Sequence, residues 1–498
     1  MFKDVLAKLE QSGLPDELQA MLNPHQTGAP RQVSVAVFLT ALILVFRFTG
    51  SATLADLHRY LTTGLDRHLQ VELGTRKSLH GRDDACGALT YRQVQYLFRQ
   101  IVRRIDPKES NEVFERTRRR RFLMRLQTEY AQVLIPKDDL ADVRARAVDS
   151  TPVHAWNLAW SGRDCDASTG HRTLTDSDAR EFFFGFRALT YCIAGERPYV
   201  EAFYLRPANE GEIEANLDLT TALADLLKKD GRTLGYVLAD RGFSELQEHN
   251  WVEPMRGLGA EPVFDYRKSD RGVVMILGAL VTDGRPHCPC LPKELELPAR
   301  PPRVGLGAPP GDKARQKRRD QYESDRTALE EAKKLIEQRQ DYMGGHVAGN
   351  GYGHGDAWRC PALEGKVRCT RRPDSMFLPD DGRPTLRPGD DIEMGEFCTE
   401  ESIVLRADVQ PKLRQKFTWM GRMWRFWYRK RTYAEGVFGN LKNRRTESIT
   451  RGWIRVAGLT ATTLMLWAAT NHYNLRIATR DADDGDYGFV DLPRPDTP

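Results

Sequence analysis

Between Trp424 and Arg445 the chain reads WRFWYRKRTYAEGVFGNLKNRR. Tyr428, Arg431, Glu435 and Lys442 stand in it at the spacing Y-x2-R-x3-E-x6-K. Wound as one α-helix at about 100° per residue, Arg431, Glu435 and Lys442 fall within roughly 40° of one line, with Tyr428 about 60° to one side. One face then carries an aromatic hydroxyl, two cations and a single carboxylate. A carboxylate held between cations suits a site that grips phosphate oxygens and a metal ion together. The Arg431–Glu435 pair alone is an ordinary i,i+4 helix pair worth a few tenths of a kcal/mol. The four-residue pattern is the informative feature.

Upstream, Arg144 to Asp149 (RARAVD) leads into Ser150–Val153 and reads as a short strand ending in a carboxylate. Ala188–Ile193 and Tyr199–Leu205 read as a strand pair across Gly195–Pro198, and Glu212–Lys229 as an amphipathic helix. Thr233 to Ala239 (TLGYVLA) is an apolar strand that stops at Asp240-Arg-Gly-Phe243, and Glu261–Asp265 is another. Asp149 and Asp240 thus stand at strand ends, where sites collect in open α/β sheets. An Asp in such a place is also a common cap or turn residue.

Asp149-Ser-Thr, Asp240-Arg-Gly-Phe and the Tyr428 to Lys442 pattern resemble the carboxylate motifs of DDE transposases from bacterial insertion sequences, in the branch with the Tyr-Arg-Glu-Lys signature. The resemblance runs over roughly residues 140 to 475 and takes in Arg451 to Leu459. It implies an α/β fold: an RNase H-like mixed sheet flanked by helices, interrupted by an insertion and preceded by an all-helical N-terminal region. It also implies that Asp149, Asp240 and Glu435 hold two Mg²⁺ or Mn²⁺ ions, Asp149 bridging them, as hard oxygen donors would. Tyr428, Arg431 and Lys442 would hold the DNA backbone. The implied partner is double-stranded DNA, as terminal inverted repeats and as target, bound by a homodimer. One site would first free a 3′-hydroxyl and then use it on target DNA. Three alternatives stay open: an inactive DNA-binding descendant, a metal-dependent nuclease without strand transfer, and a zinc-dependent binding module. Should Glu435 not be the third ligand, Glu393 and Glu396 are the next acids to consider.

The 498 residues, with 40% hydrophobic and 29% charged content, allow two to four soluble domains. Net charge is only +5, but Pro411–Arg455 holds 13 Lys/Arg against two acids, which favours a polyanionic partner. The expected segments are 1–138, a helical DNA-binding region; 139–270, the first part of the core; 271–408, the insertion; 409–478, the rest of the core; and 479–498, an acidic disordered tail. In the first segment Val33–Phe46 is too short for a membrane span and reads as a buried helix. The Thr49-Gly50-Ser51 turn and the Leu54, Leu57, Leu61 face after it resemble a helix-turn-helix. Arg116 to Arg121 holds five arginines, of which Arg118, Arg119, Arg120 and Arg121 are candidate phosphate contacts; a solvated linker helix is the alternative.

In the insertion, Asp312–Met343 reads as a charged helix standing in solvent. Cys288, Cys290, Cys360 and Cys369, with Cys398 nearby, are weighed as ligands of a structural Zn²⁺ against buried free thiols, because C-x-C with C-x8-C is not the usual knuckle spacing. Phe417, Trp419, Trp424, Phe426 and Trp427 are read as helix-packing core, with base stacking as the alternative. Without a secretory signal or a disulfide framework, the expected place is the cytoplasm, at the nucleoid and away from membranes.

Overall fold

The most apolar run of the sequence becomes a core helix. In the computed structural model, which describes residues 1–23, 31–49, 52–78, 87–156, 166–173, 180–244, 248–298, 313–349, 355–389, 392, 394–450 and 455–479, α1 (Val35–Thr49) is buried at every position from Val35 to Phe46. Thr40 in that run returns its hydroxyl to the Ala36 carbonyl at 2.8 Å, so its burial leaves no donor unmet. Among the described residues no helix is long and apolar enough to cross a membrane. α2 (Leu54–Arg59) is capped by Thr53, and Leu57 and Leu61 are buried as their spacing predicts. Gly50 and Ser51 of the expected turn lie outside the described residues. α3 (Tyr91–Ile105) opens on a capping box of Thr90 and Gln93 and buries Val94, Leu97, Phe98, Ile101 and Ile105. α4 (Val113–Gln127) follows and buries Phe122 and Leu126.

After residue 144 the apolar period changes from 3.6 to 2. β1 (Ala145–His154), β2 (Ser168–Thr173), β3 (Arg180–Ile193) and β4 (Val200–Pro207) precede α5 (Glu212–Lys229); β5 (Gly235–Ala239) and β6 (Ala260–Val263) follow it. The mixed sheet runs β2-β3-β1-β5-β6, with β4 also paired to β3. β1 and β3 are antiparallel, with Asp149 opposite Thr190. Gly235 has φ +65, and a Cβ there would collide with the Arg144 carbonyl, so glycine lets β5 begin hard against β1. The Tyr236 N–H donates to that same carbonyl at 2.9 Å.

Beyond the sheet, β7 (Val273–Ile276), β8 (Ala279–Thr282) and β9 (Arg285–His287) make an antiparallel meander. Then come α6 (Lys313–Arg339), β10 (Gly345–Gly349), β11 (Asp356–Arg359), β12 (Arg368–Cys369), β13 (Thr385–Leu386) and β14 (Ile403–Leu405). α7 (Arg422–Tyr428), α8 (Thr432–Leu441) and α9 (Leu459–Ala478) follow. Contacts divide the chain into two compact units: Met1–Leu238 with Pro254–Ala260 and Lys430–Pro498, and Ala239–Glu253 with Glu261–Arg429.

In the first unit the N-terminal helices share a core with the sheet instead of forming a body of their own. α9 is the strut: it is buried over most of its length and packs on α1, α3, α4 and β4. Its Trp467 indole donates to the Tyr130 carbonyl at 2.9 Å. Asn474 donates to the carbonyls of Ala131 and Val200 and accepts the Val200 N–H, so one amide ties helix to strand. On β1, Arg146 is fully buried against Glu201 of β4, at 2.5 and 3.0 Å, and donates to the Thr233 and Leu234 carbonyls as well. Arg232 adds a second cation to Glu201 at 3.3 Å.

The second unit is built on smaller cores. Ala279, Val281, Trp358, Phe397, Ile403 and Leu405 form one of them. α6 is mostly exposed, as its interleaved charges predict, and is anchored by Ala332, Ile336 and the buried Arg339, which meets Asp283 at 2.7 Å. Trp419, Trp424 and Trp427 are buried here. Trp419 stacks on Tyr266 and donates to Asp265 at 3.1 Å, so these aromatics are packing residues.

Candidate active site

The signature stretch is not one helix. α7 stops at Tyr428, Arg429–Arg431 forms a turn of 3₁₀-helix, and α8 begins at Thr432, with Lys442 as its C-terminal cap. Tyr428 therefore sits on a different helix from Glu435, where it stacks on Trp424 with ring centroids 4.3 Å apart. Arg431, Glu435 and Lys442 keep their common side. Measured from Ala434, at the middle of the buried face, they stand roughly 60–100° round the helix. That is the flank of a face made by Ala434, Val437, Phe438 and Leu441, which packs α8 on β1 and β3.

Asp149 is in the middle of β1, not at its end, because Ser150–His154 continue the pairing with β3. Its Oδ1 accepts the Ser150 N–H at 2.8 Å. Alternation along the strand puts Thr151 on the same side as Asp149. Lys442 reaches that side: its ammonium donates to the Thr151 Oγ1. Burial pushes the Lys442 pKa down to about 8; Arg172 on β2 adds to the push and the charge of Asp149 opposes it. The Asp149-Ser-Thr motif contains Thr151 without giving it a role, and nothing in the sequence singles out Arg172. The two-residue period would have found Thr151, whereas Arg172 lies on a strand too polar to recognise.

At the other end of α8, Glu435 lies in the first turn, where a carboxylate is favoured by the helix dipole. It is 54% exposed and takes the Arg431 guanidinium at 2.8 Å, while Arg431 is only 13% exposed. Lys442 stands seven positions after Glu435, about 10 Å along the axis. Asp240 is the first residue past β5, the strand beside β1 in the sheet, and its carbonyl accepts the Phe243 N–H at the start of the next turn. Among the described residues no group of three or more His, Cys, Asp or Glu is gathered so as to hold a metal ion. Asp149, Asp240 and Glu435 offer carboxylate oxygen only, the donor type that Mg²⁺ and Mn²⁺ select.

No family model, curated protein or solved structure matches this chain. The reading of the site rests on its residues.

The arginine cluster of α4 divides by burial. Arg119 is buried: it pairs with Glu115 at 2.9 Å and donates to the carbonyls of Arg103 and Asp106, closing the C-terminal end of α3. Arg118 also takes Glu115, and the hydrogen bonds from Arg118 and then Arg119 hold that carboxyl below its usual range. Arg120 and Arg121 are exposed and make no ion pair among the described residues. Arg119→Ala is therefore expected to cost about 2–3 kcal/mol of stability in urea unfolding. Arg120→Ala and Arg121→Ala are expected to stay within about 0.5 kcal/mol of wild type.

Cys288, Cys290, Cys360, Cys369 and Cys398 line one small cavity in the second unit, all as free thiols. A hydrogen bond shared with Cys290, and then burial, raises the Cys288 thiol; burial raises Cys360, and takes Cys398 to about 11.

Proposed function

We propose that the chain is a DDE-type transposase on an RNase H-like core, acting on double-stranded DNA in the cytoplasm. The observation that carries the reading is the contact of Lys442 with Thr151 beside Asp149, which joins the end of the signature to the first carboxylate strand across 291 positions of sequence. The strand order supports it. Read as β4-β3-β1-β5-β6, the sheet has Asp149 on its central strand, Asp240 just past the neighbouring strand, and Glu435 on a helix packed back onto β1 after the second unit.

In this reading Asp149, Asp240 and Glu435 hold the divalent ions, which supply an activated water and a stabilised leaving oxygen when bound. The chain's own cations do the positioning. Lys442, fixed by Thr151, meets a phosphate oxygen from the strand side, and Arg431 meets one from the start of α8. Both are partly buried, where a charge acts more strongly on a phosphate than it would in open water. Lys442→Met keeps much of the side-chain volume and removes one phosphate contact. It is expected to lower the slope of log binding constant against log salt by about 0.9 on duplex DNA. A fluorescence-anisotropy titration at several salt concentrations checks this.

The test of the function is incubation of the protein with duplex DNA bordering its own gene, plus Mg²⁺ or Mn²⁺. Nicking at a defined end followed by covalent joining to a second duplex is the expected result. Nicking without joining would make the chain a nuclease, and binding without nicking would make it a non-catalytic descendant.

A further inference from the structure

α3 has a buried face and a second face whose cations have no carboxylate partner among the described residues. Its sequence, YRQVQYLFRQIVRRI, contains no acid. Opposite the buried Val94, Leu97, Phe98, Ile101 and Ile105 stand Arg92, Tyr96, Arg99 and Arg103, all exposed. Their spacing of i, i+4, i+7 and i+11 draws them into one stripe about 60° wide and about 16 Å long. Arg104 flanks it, also exposed. None of these four arginines makes an ion pair or a side-chain hydrogen bond among the described residues, whereas Arg118, Arg119 and Arg125 on α4 all have carboxylate partners. Tyr96 is 62% exposed in the middle of the cations.

Beside the stripe lies an open groove of about 440 Å³, lined by Arg31, Gln32, Arg92, Gln93, Tyr96 and Leu97 among others. Its polar wall is built in advance. Gln93 closes the capping box of α3 and donates to Gln32 Oε1 at 3.1 Å, and Gln32 donates to the Gly87 carbonyl at 2.8 Å. Arg31 is held by Asn23 at 2.9 Å. The far end of α3 is fixed by the buried Arg119 on its last carbonyls. The helix is thus clamped at both ends, and its free face combines cations, an aromatic ring and side-chain amides.

We propose that α3 is the main DNA-binding helix of the N-terminal region, with Arg92, Arg99 and Arg103 tracking phosphates of duplex DNA and Tyr96 packing against the sugar or base edge at the groove. This rests on the reading of the chain as a DNA-processing enzyme and moves the principal contact from the arginine cluster of α4 to α3. Phosphate is the complement that the stripe calls for. Duplex DNA presents a charge about every 1.7 Å of its axis, so a 16 Å row of cations meets several phosphates at once and releases their counterions.

The test uses the full chain and a fluorescein-labelled, mixed-sequence DNA duplex, with anisotropy read across a salt series. The combined variant Arg92→Ala/Arg99→Ala/Arg103→Ala is expected to bind on the order of 100-fold more weakly near 0.1 M salt, with the salt slope lowered by nearly 3. The Arg→Lys version at the same three positions keeps the charges, and is expected to recover most of the affinity; a fall equal to that of the alanine variant would overturn charge tracking. Arg120→Ala/Arg121→Ala serves as the comparison. If that pair loses the affinity and the α3 variant keeps it, or if wild type binds no duplex, the inference fails. Asp149→Asn/Glu435→Gln separates it from the catalytic reading, because that variant should bind normally whether or not the wild type cuts.

Discussion

Glu435→Gln is expected to lower metal-dependent DNA cleavage by at least about 10³-fold, since losing a ligand forfeits several kcal/mol of charge stabilisation. The melting temperature should stay at the wild-type value. Glu435 is more than half exposed and pairs with Arg431, in the 3₁₀ turn that leads into its helix. An i,i+4 pair with one partner in solvent contributes at most about 1 kcal/mol. Glutamine keeps the size and the helix propensity, so a structural role predicts almost no effect on anything. A large loss of cleavage on an unchanged fold is the mark of a carboxylate that acts on a ligand. Cleavage at the wild-type rate would pass the role to Glu396 or another acid, and a matching fall in melting temperature would reassign Glu435 to structure.

Glu201→Ala is expected to destabilise the first unit by about 3–5 kcal/mol, because it leaves the guanidinium of Arg146 uncompensated inside the protein. Both side chains are fully buried, and Arg146 spends its other hydrogens on the Thr233 and Leu234 carbonyls at the entrance to β5. The damage should therefore reach the β1–β5 pair on which Asp149 is carried and after which Asp240 follows. The pair as such is not the source of stability, since a well-packed apolar pair of similar volume is often neutral or better. Arg146→Met/Glu201→Leu should consequently recover most of the loss, with Arg232 still held by Asp230 at 2.7 Å. Urea unfolding of wild type, single and double variants measures this. A single-variant loss below about 1 kcal/mol would show that water or a neighbour relieves the buried charge.

What could be read from the sequence was what one local period or one composition fixes. α5 runs from Glu212 to Lys229 as its leucine spacing predicts, with Leu219, Leu223 and Leu227 on the inside. β5 ends at Ala239, and Asp240 follows it because the apolar run stops there. α1 is a core helix since no polar face interrupts it. Reading failed where a neighbour decided the outcome. The strand read as ending at Asp149 runs on, because β3 pairs Ser150–His154 into β1 and leaves Asp149 in mid-strand. The break at Arg429–Arg431 carries neither Pro nor Gly and separates Tyr428 from the helix of Glu435. β2 was illegible because STGHRT has no apolar alternation, and its pairing with β3 makes it a strand.

The same division applies to the site. The motif spacing brought out Arg431, Glu435 and Lys442, and the structure keeps them along one flank of α8. It could not assign Lys442 to Thr151, a contact that depends on how α8 lies on β1. Nor could composition separate Arg119 from Arg120 and Arg121, since burial depends on α3 and not on the cluster itself. The unpaired stripe of α3 was hidden for the opposite reason: its apolar face accounted for the helix and drew attention from the rest.

The proposed function requires Asp149, Asp240 and Glu435 to serve the same divalent ions. Its most direct measurement is metal-directed cleavage of the protein backbone: Fe²⁺ with ascorbate and peroxide added to the full chain, and the fragments mapped by mass. Cuts near residues 149, 240 and 435 together are expected, all suppressed by excess Mg²⁺ or Mn²⁺ and all lost in Asp149→Asn. Cuts confined to one of these segments, or cutting that Mg²⁺ leaves untouched, would contradict it.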